Sequence, residues 1–530
     1  MRNIVLIGFM GAGKTAVGQE VSRRLGWPFY DTDTLVEQEA GKSTSAIFEQ
    51  EGEVGFRERE RRAVAQVARR RPAVIACGGG VVTDPHNVHR LKRTGRIVLL
   101  EAPLERTLAR VGAAAQRPLL REDPSRRAAE LMEQRRPLYR KAAEIVVDTG
   151  ELTVEAAAEC VIRAAAERER RTIPVALGGG YPVHVGEGIL PLVALDLQRI
   201  GARRIALLTH PRLLDLYGGR LCMALRAWGL DPHPITVPPG ERSKSLRYAQ
   251  RVYEGMAQAR LDRTAALLAL GGGVIGDLGA FAAGTYMRGL ALVHLPTTLL
   301  AQVDSSIGGK AALNVVARNL VGLFWHPQAV VADVATLRSL PPRALRAGLS
   351  ECAKHAAVAD ADLFAWLEAN VAVVLRRDPT ALTELVARNV EIKSRIVEAD
   401  ERETAGGREA LNFGHTVAHA LEATTAYRLP HGEAVAIGML AECEIGIRVG
   451  ITDPDGARRL RALLERAGMK LRPPPFDPDE AIGRMALDKK TRAGRLRFVL
   501  LERIGAARTG VEVDVAVVAK ALHALLEGSR

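Results

Sequence analysis

Residues 3–15 read Asn3-Ile4-Val5-Leu6-Ile7-Gly8-Phe9-Met10-Gly11-Ala12-Gly13-Lys14-Thr15. A short apolar run leads straight into G-x-x-x-x-G-K-T, and helix-like sequence follows the threonine. Strand, glycine-rich loop and helix in that order make a phosphate-binding unit. Gly11, Ala12 and Gly13, with Ala16 just beyond, offer backbone N–H groups to phosphate oxygens, and the helix that starts there adds its positive end. Lys14 can reach a transferring phosphate, and Thr15 can ligate Mg²⁺.

The stretch therefore predicts a parallel α/β sheet with a nucleotide at one end. The rest of the first 170 residues fits: apolar runs at 73–77, 97–101 and 145–148 alternate with amphipathic segments. A charged helix-like run over 155–171 ends in a cluster of charges, and a new strand-like pattern begins at Thr172. The chain is expected to divide near residue 170. Alternation continues to about residue 335, with buried strands expected at 205–209, 265–270, 292–296 and 330–333. From about residue 340 the periodicity turns helical, over 342–359, 361–376, 379–400 and 411–426, with few strand-like runs before 496–501.

Length and composition exclude several classes. A chain of 530 residues suggests three or four domains, and 47% hydrophobic residues rule out disorder as the main state. No charge-free apolar stretch reaches the length of a membrane span, so no membrane partner is expected. The first residues lack a small-residue cleavage site and are not read as a signal peptide. Five scattered cysteines without a C-x-x-C argue against a disulfide framework or a cysteine zinc cluster, which leaves the cytoplasm as the expected location. The net charge of +13 is spread as +6 over 1–171 and +7 over 172–530, and aromatic residues are only 4%. Stacking platforms are therefore scarce and no nucleic-acid partner is expected. Basic pockets for phosphorylated or carboxylated small molecules fit better.

The acceptor side of the first site is read from Asp31 and Asp33, which follow a second short strand. One can serve Mg²⁺ and the other can order an acceptor hydroxyl. Gly78-Gly79-Gly80 follow the strand at 73–77 and permit close approach to backbone. Arg57, Arg117 and Arg135 come from separate segments. These pieces, with Phe56-Arg57-Glu58, Glu60, Arg117-Pro118-Leu119-Leu120 and Arg135-Arg136-Pro137-Leu138-Tyr139, stand in the order of the shikimate kinase family, which residues 1–165 resemble. The resemblance implies ATP and Mg²⁺ as cofactors, with Thr15 and Asp31 at the metal. It implies shikimate on Asp33, Arg57, Gly79 and Arg135, and Arg117 on a lid over ATP. Asp33 suits a hydroxyl that it can also deprotonate. The family usually has asparagine where this chain has Arg136, so two adjacent arginines compete for the substrate carboxylate; Arg135 is favoured.

The second site has three components. Gly271 to Asp277 follows a strand but lacks G-x-G-x-x-G, so a tight turn and a cofactor loop are equal readings. Pro239–Lys244 and Thr297-Thr298 are further polar turns. His415 and His419 lie at i, i+4, His431 and Glu433 follow twelve residues on, and Glu351 offers a distant carboxylate. That set can bind zinc, and spacing leaves open which three ligate. Lys310, Lys354, Lys393, Lys489 and Lys490 suit a phosphate or carboxylate substrate.

Residues 172–525 closely resemble 3-dehydroquinate synthase. The carriers are Gly271–Asp277, the run Leu295–Lys310, the Glu351/Lys354 segment, Ala399–Thr404, Asn412–His419, His431-Gly432-Glu433 and Asp488-Lys489-Lys490. The resemblance implies NAD⁺ held by Glu241, Lys244, Gly273, Val274, Ile275, Gly276, Asp277, Thr297, Thr298, Lys310, Asn319, Thr336, Leu337, Arg338 and Ser339. It implies zinc, or cobalt, on Glu351, His415 and His431, with His419 left for substrate and proton chemistry. Asp304, Lys310, Lys354, Lys393, Arg408, Asn412 and Lys489 would hold a seven-carbon heptulosonate phosphate. A homodimer is implied, in which Arg288 reaches the substrate site of the neighbouring subunit. The family usually has Lys-Asn where this chain has Arg318-Asn319.

The expected fold is α/β. A P-loop kinase-type parallel sheet occupies 1–168, a Rossmann-like NAD-binding domain 172–335, and a mainly α-helical metal-binding domain 336–530. The expected function is a fusion: phosphorylation of shikimate by ATP, and NAD- and zinc-dependent conversion of the heptulosonate phosphate to 3-dehydroquinate and phosphate. The rivals are another small-molecule kinase joined to a zinc polyol dehydrogenase, and a P-loop nucleic-acid motor.

Overall fold

The computed structural model describes residues 2–111, 124–316, 318–402, 407–426, 428–488 and 495–527. Two compact units account for the chain: Met1–Arg170 with the short segments Pro191–Leu195 and Gly219–Leu230, and the remainder.

In the first unit, β1 (Asn3–Ile7), β2 (Phe29–Asp31), β3 (Val74–Ala76), β4 (Gly95–Glu101) and β5 (Ile145–Asp148) form a parallel sheet in the order β2-β3-β1-β4-β5. Both faces are covered by helices, so β1 is buried throughout and reads as continuous Ile/Val/Leu. Parallel pairing sends every strand out at the same edge. The glycine loop after β1, Asp31 at the end of β2 and Gly78 just beyond β3 therefore meet, in the crevice where such sheets bind ligands.

The helix Val154–Glu169 stops two residues before the charge cluster ends. Arg170 is already extended and opens β6 (Arg170–Val175). The reading of 155–171 as one helix is thus corrected. Ile173 and Val175 alternate inward from there, and burying them outweighs continuing a helix of charged residues.

In the second unit, β6, β7 (Tyr181–Gly186), β8 (Arg204–Thr209), β9 (Asp231–Thr236), β10 (Ala266–Gly271), β11 (Ala291–Pro296) and the later strand Ala329–Asp333 share a seven-stranded sheet. Between β11 and β14 (Ala329–Asp333) comes an antiparallel hairpin, β12 (Lys310–Leu313) with β13 (Val321–Phe324). The sheet order is β6-β7-β14-β11-β10-β8-β9. β9, which no sequence expectation covered, carries Pro232 and Pro234; at the sheet edge those prolines break no ladder on the open side. Long helices follow from Pro342, and a second hairpin, β15 (Arg495–Arg503) with β16 (Ala506–Asp514), joins them. One apolar core runs from Val183 and Val330 of the sheet into Phe364 and Val435 of the helices and Phe413 at a corner between them.

One helical expectation fails in an informative way. Residues 411–426 do not form one helix. Arg408–Asn412 is a 3₁₀ turn, Gly414 is left-handed at φ 82°, and the α-helix starts at His415. A Cβ on Gly414 would lie 2.6 Å from Met439 Cγ and 2.8 Å from Met439 N, so only glycine lets this corner pack against the helix His431–Arg448.

Candidate functional site

In the first unit the loop encloses a cavity of about 600 Å³ that Lys14, Thr15, Asp31, Asp33 and Gly79 help to line. Gly8 has φ 149°, and a Cβ there would meet Leu100 O at 2.5 Å. The Lys14 ammonium donates to the carbonyls of Gly8 (2.9 Å) and Phe9 (3.0 Å), which aims it across the loop mouth. Thr15 Oγ1 donates to Asp31 Oδ2 at 2.8 Å, so the two residues expected at Mg²⁺ are already adjacent. Asp31 Oδ1 also accepts from Asp33 N (3.0 Å) and caps the helix Thr32–Ala40, a second duty the sequence did not reveal.

The triple glycine proves to be a cradle for side chains. A Cβ on Gly78 would stand 2.3 Å from Asp33 Oδ1, and one on Gly80 2.1 Å from Arg57 Nη1. Arg57 is held by Glu60 at 2.8 Å and by Glu53 at 3.0 Å. Burial raises the Glu60 carboxyl, against the pull of Arg57. Arg135 Nη1 donates to Gly79 O at 3.3 Å, whereas Arg136 turns to Glu101 at 3.1 Å. Of the two adjacent arginines, Arg135 is thus the one that faces the glycine run. Tyr139, given no role from sequence, also donates to Gly79 O. Arg117 lies outside the described residues.

In the second unit, Gly273–Asp277 opens the helix Gly273–Thr285, directly after β10. Asp277 pairs with Lys244, which also donates to Asn319 Oδ1. Burial raises the Asp277 carboxyl and Lys244 opposes the shift. Asn314, missed from sequence, ties the same corner by donating to Glu241 Oε1 at 2.8 Å. Thr297 N donates to Gly271 O at 2.9 Å, and a Cβ on Gly272 would touch Thr298 Cγ2 at 2.9 Å. Four separate turns therefore converge beside the helix N-terminus, and a helix N-terminus can bind an anion.

Among the described residues, Glu351, His415 and His431 bring ligand atoms within 4.8 Å of one another. Glu351 is fully buried, and its Oε1 lies 3.6 Å from His415 Nε2 and 3.6 Å from His431 Nε2 with no hydrogen-bond partner. Such an orphaned oxygen between two imidazole nitrogens fits a divalent cation held by three protein ligands with a fourth position open. Glu433 turns away to Arg343 at 3.3 Å, and His419 flanks the group with its ring 5.5 Å from that of His415. Burial, with Lys354 nearby, pushes His415 down to about 3 and keeps it neutral. Burial opposes a charge on His431, but Glu351 and Glu422 raise it to about 9. Burial likewise resists ionisation of Glu351, yet Lys354 and the imidazoles hold its carboxyl well below the usual range.

Comparison with known families agrees with this layout. The model for shikimate kinase matches residues 10–166. Those for the 3-dehydroquinate synthase N-terminal and C-terminal parts match 234–347 and 348–491. A 3-dehydroquinate synthase from Nitrosospira multiformis is 40% identical over 345 residues, which is 65% of this chain and 94% of that protein. The chain belongs to the 3-dehydroquinate synthase family, with a shikimate kinase joined ahead of it. Among solved structures, 2-deoxy-scyllo-inosose synthase with carbaglucose-6-phosphate, NAD⁺ and Co²⁺ is 25% identical at a TM-score of 0.62, over 66% of this chain and 99% of its own. 2-epi-5-epi-valiolone synthase from Streptomyces hygroscopicus, with NAD⁺ and Zn²⁺ bound, is 28% identical at 0.61, over 66% and 97%.

The remaining synthase residues divide by position. Lys354 pairs with Glu351, and Lys393 with Asp304. Arg408 is buried and donates to Glu401 O at 2.7 Å; Asn412 ends its 3₁₀ turn. Lys310 is exposed at the start of β12. Thr336 and Ser339 are bound by Tyr217, Arg338 turns to Glu187, and Leu337 is packed into the core. Ile275 is likewise buried, whereas Val274 and Gly276 are half-buried. Arg288 is exposed beyond the far end of the helix Gly273–Thr285, about 20 Å along its axis from Gly273. Lys489 and Lys490 lie outside the described residues.

Proposed function

We propose the following division of labour for the two sites. In the kinase, Lys14 and the loop amides hold the phosphates of ATP, and Thr15 with Asp31 holds Mg²⁺. Asp33 accepts the proton of the attacking hydroxyl, while Arg57 and Arg135 hold the shikimate carboxylate against Gly79. The placement of Arg135 toward Gly79 and of Arg136 toward Glu101 supports that choice. Arg117 is assigned to the nucleotide in this reading.

In the synthase, Gly273–Asp277, Lys244, Glu241, Thr297, Thr298, Lys310 and Asn319, with backbone from 336–339, hold NAD⁺. Glu351, His415 and His431 hold zinc or cobalt. Together, when bound, these groups supply polarisation of a secondary alcohol and reversible acceptance of its hydride. Lys354, Lys393, Arg408, Asn412, Asp304 and Lys489 bind the heptulosonate phosphate, and His419 moves protons beside it. NAD⁺ ends unchanged, so the net reaction is loss of phosphate with ring closure to 3-dehydroquinate. The buried Glu351 oxygen between His415 and His431 carries this reading.

The wider organisation is also a proposal. The kinase ends near residue 168, the nucleotide and metal parts of the synthase meet near residue 335, the chain works in the cytoplasm, and synthase parts pair so that Arg288 serves the neighbour. The test is direct. Purified chain should form ADP from ATP and shikimate, and separately release phosphate from the heptulosonate phosphate with NAD⁺ and zinc. Phosphate release undiminished in Glu351→Ala would overturn the metal assignment.

A further inference from the structure

Glu422 has no role in the proposed function, and its surroundings are unusual. It is 3% exposed, on the helix His415–Thr424 two turns beyond His415. Its Oε1 lies 3.3 Å from His431 Nδ1, while His431 Nε2 faces Glu351 on the other side of the ring. The same oxygen lies 3.5 Å from Arg318 Nη1, on the loop between β12 and β13. Arg318 Nε in turn stands 3.8 Å from Glu241.

The chemistry of this row is specific. An imidazole can give a lone pair to a cation from Nε2 only if its proton sits on Nδ1, and an acceptor opposite Nδ1 fixes both that tautomer and the ring plane. A carboxylate does so more strongly than an amide and makes the ligand more basic. A buried carboxylate with no positive partner is costly, so its position depends on what neutralises it. Arg318 supplies that charge from a loop outside the helical part. The residue at 318 is where this chain departs from the lysine usual in the family, and a guanidinium can reach Glu422 and Glu241 at once where an ammonium is a single point charge.

We propose that Glu422 is the positioning residue of the metal centre, orienting His431 through Nδ1, and that Arg318 acts through Glu422 to set how firmly the centre holds its ion. The proposal rests on the assignment of Glu351, His415 and His431 as ligands.

Zinc affinity of the metal-free full chain, measured by competition with a chromophoric chelator, tests it. Kinase activity and the metal-free melting temperature report on folding in each variant. Glu422→Gln should bind zinc about 10–100-fold more weakly with both controls unchanged, and Glu422→Asp should recover part of the loss. The visible spectrum of the cobalt-loaded Glu422→Gln chain should differ from that of the parent. Arg318→Ala should weaken zinc binding in the parent and add nothing in the Glu422→Gln background. Parental zinc affinity in Glu422→Gln overturns the positioning role. An equal Arg318→Ala effect in both backgrounds overturns the link through Glu422. Should Glu422→Gln fail its folding controls, Arg318→Ala decides alone: unchanged affinity in that exposed-loop variant overturns the proposal. A parent chain that binds no zinc would instead sink the ligand assignment itself.

Discussion

The carboxylate of Glu442 reaches from the helix His431–Arg448 to the backbone N–H of Gly414 at 2.6 Å. Its other oxygen lies 3.4 Å from Val417 N. A fully buried acid thus caps the helix that carries His415 and His419, and ties it to the helix that begins with His431. Glu442→Ala would leave two buried N–H groups unpaired, at roughly 1–3 kcal/mol each. We expect the synthase to lose about 3 kcal/mol of stability and to retain zinc poorly. Urea unfolding of the metal-free chain checks this; an unmoved synthase transition would show that the cap is dispensable.

His294, on β11, is 5% exposed, and burial pushes it down to about 4. The unfolded chain takes up a proton near pH 6.5 while the folded chain resists until about pH 4. Stability is therefore full above the unfolded value and falls as pH drops between the two, by up to about 3 kcal/mol. Replacing His294 with leucine should flatten the urea midpoint over that window. Parallel pH curves for the two chains would refute the attribution.

Gly80 admits the Arg57 guanidinium at a distance that no Cβ tolerates. Gly80→Ala should displace Arg57 without unfolding the sheet, because the end of a long side chain can swing away. The KM for shikimate should rise about tenfold or more, the scale of one charged hydrogen bond, with the KM for ATP unchanged. A matched rise in both constants would mean that the loop itself had shifted.

The two activities should respond to different losses. Lys14→Ala should cost the kinase about 3 kcal/mol or more of transition-state stabilisation and leave the synthase intact. Zinc chelation at saturating Mg²⁺ should do the reverse, and added zinc should restore phosphate release. A synthase fully active when shown to be metal-free would contradict the Glu351/His415/His431 assignment.

Arg288 provides a test of assembly. Arg288→Ala and His415→Ala chains should each be nearly inactive as synthases, while a mixed dimer has one site drawing both intact residues. Random mixing should restore about a quarter of sites under two-fold symmetry. Mixed dimers without recovered phosphate release would place Arg288 in its own subunit's service, or in none.

The order of the chemistry was legible in the sequence because it lies in contiguous motifs. The loop Gly8–Thr15 after an apolar strand was enough to set a parallel sheet with a glycine-rich loop at its edge. His415 and His419, spaced for one helix face, determined that a cation was plausible. Other matters depended on contacts distant in sequence. Glu433 and His431 are two residues apart, and only packing turned one toward Arg343 and the other toward Glu351. Arg135 and Arg136 are neighbours in the chain, yet the helix points them to different partners. Glu422, Glu442 and Asn314 carry no motif, since a buried capping or orienting group is recognised by what surrounds it. Local sequence sets which groups a segment offers; which of them face one another is decided when separate segments must bury their apolar sides together.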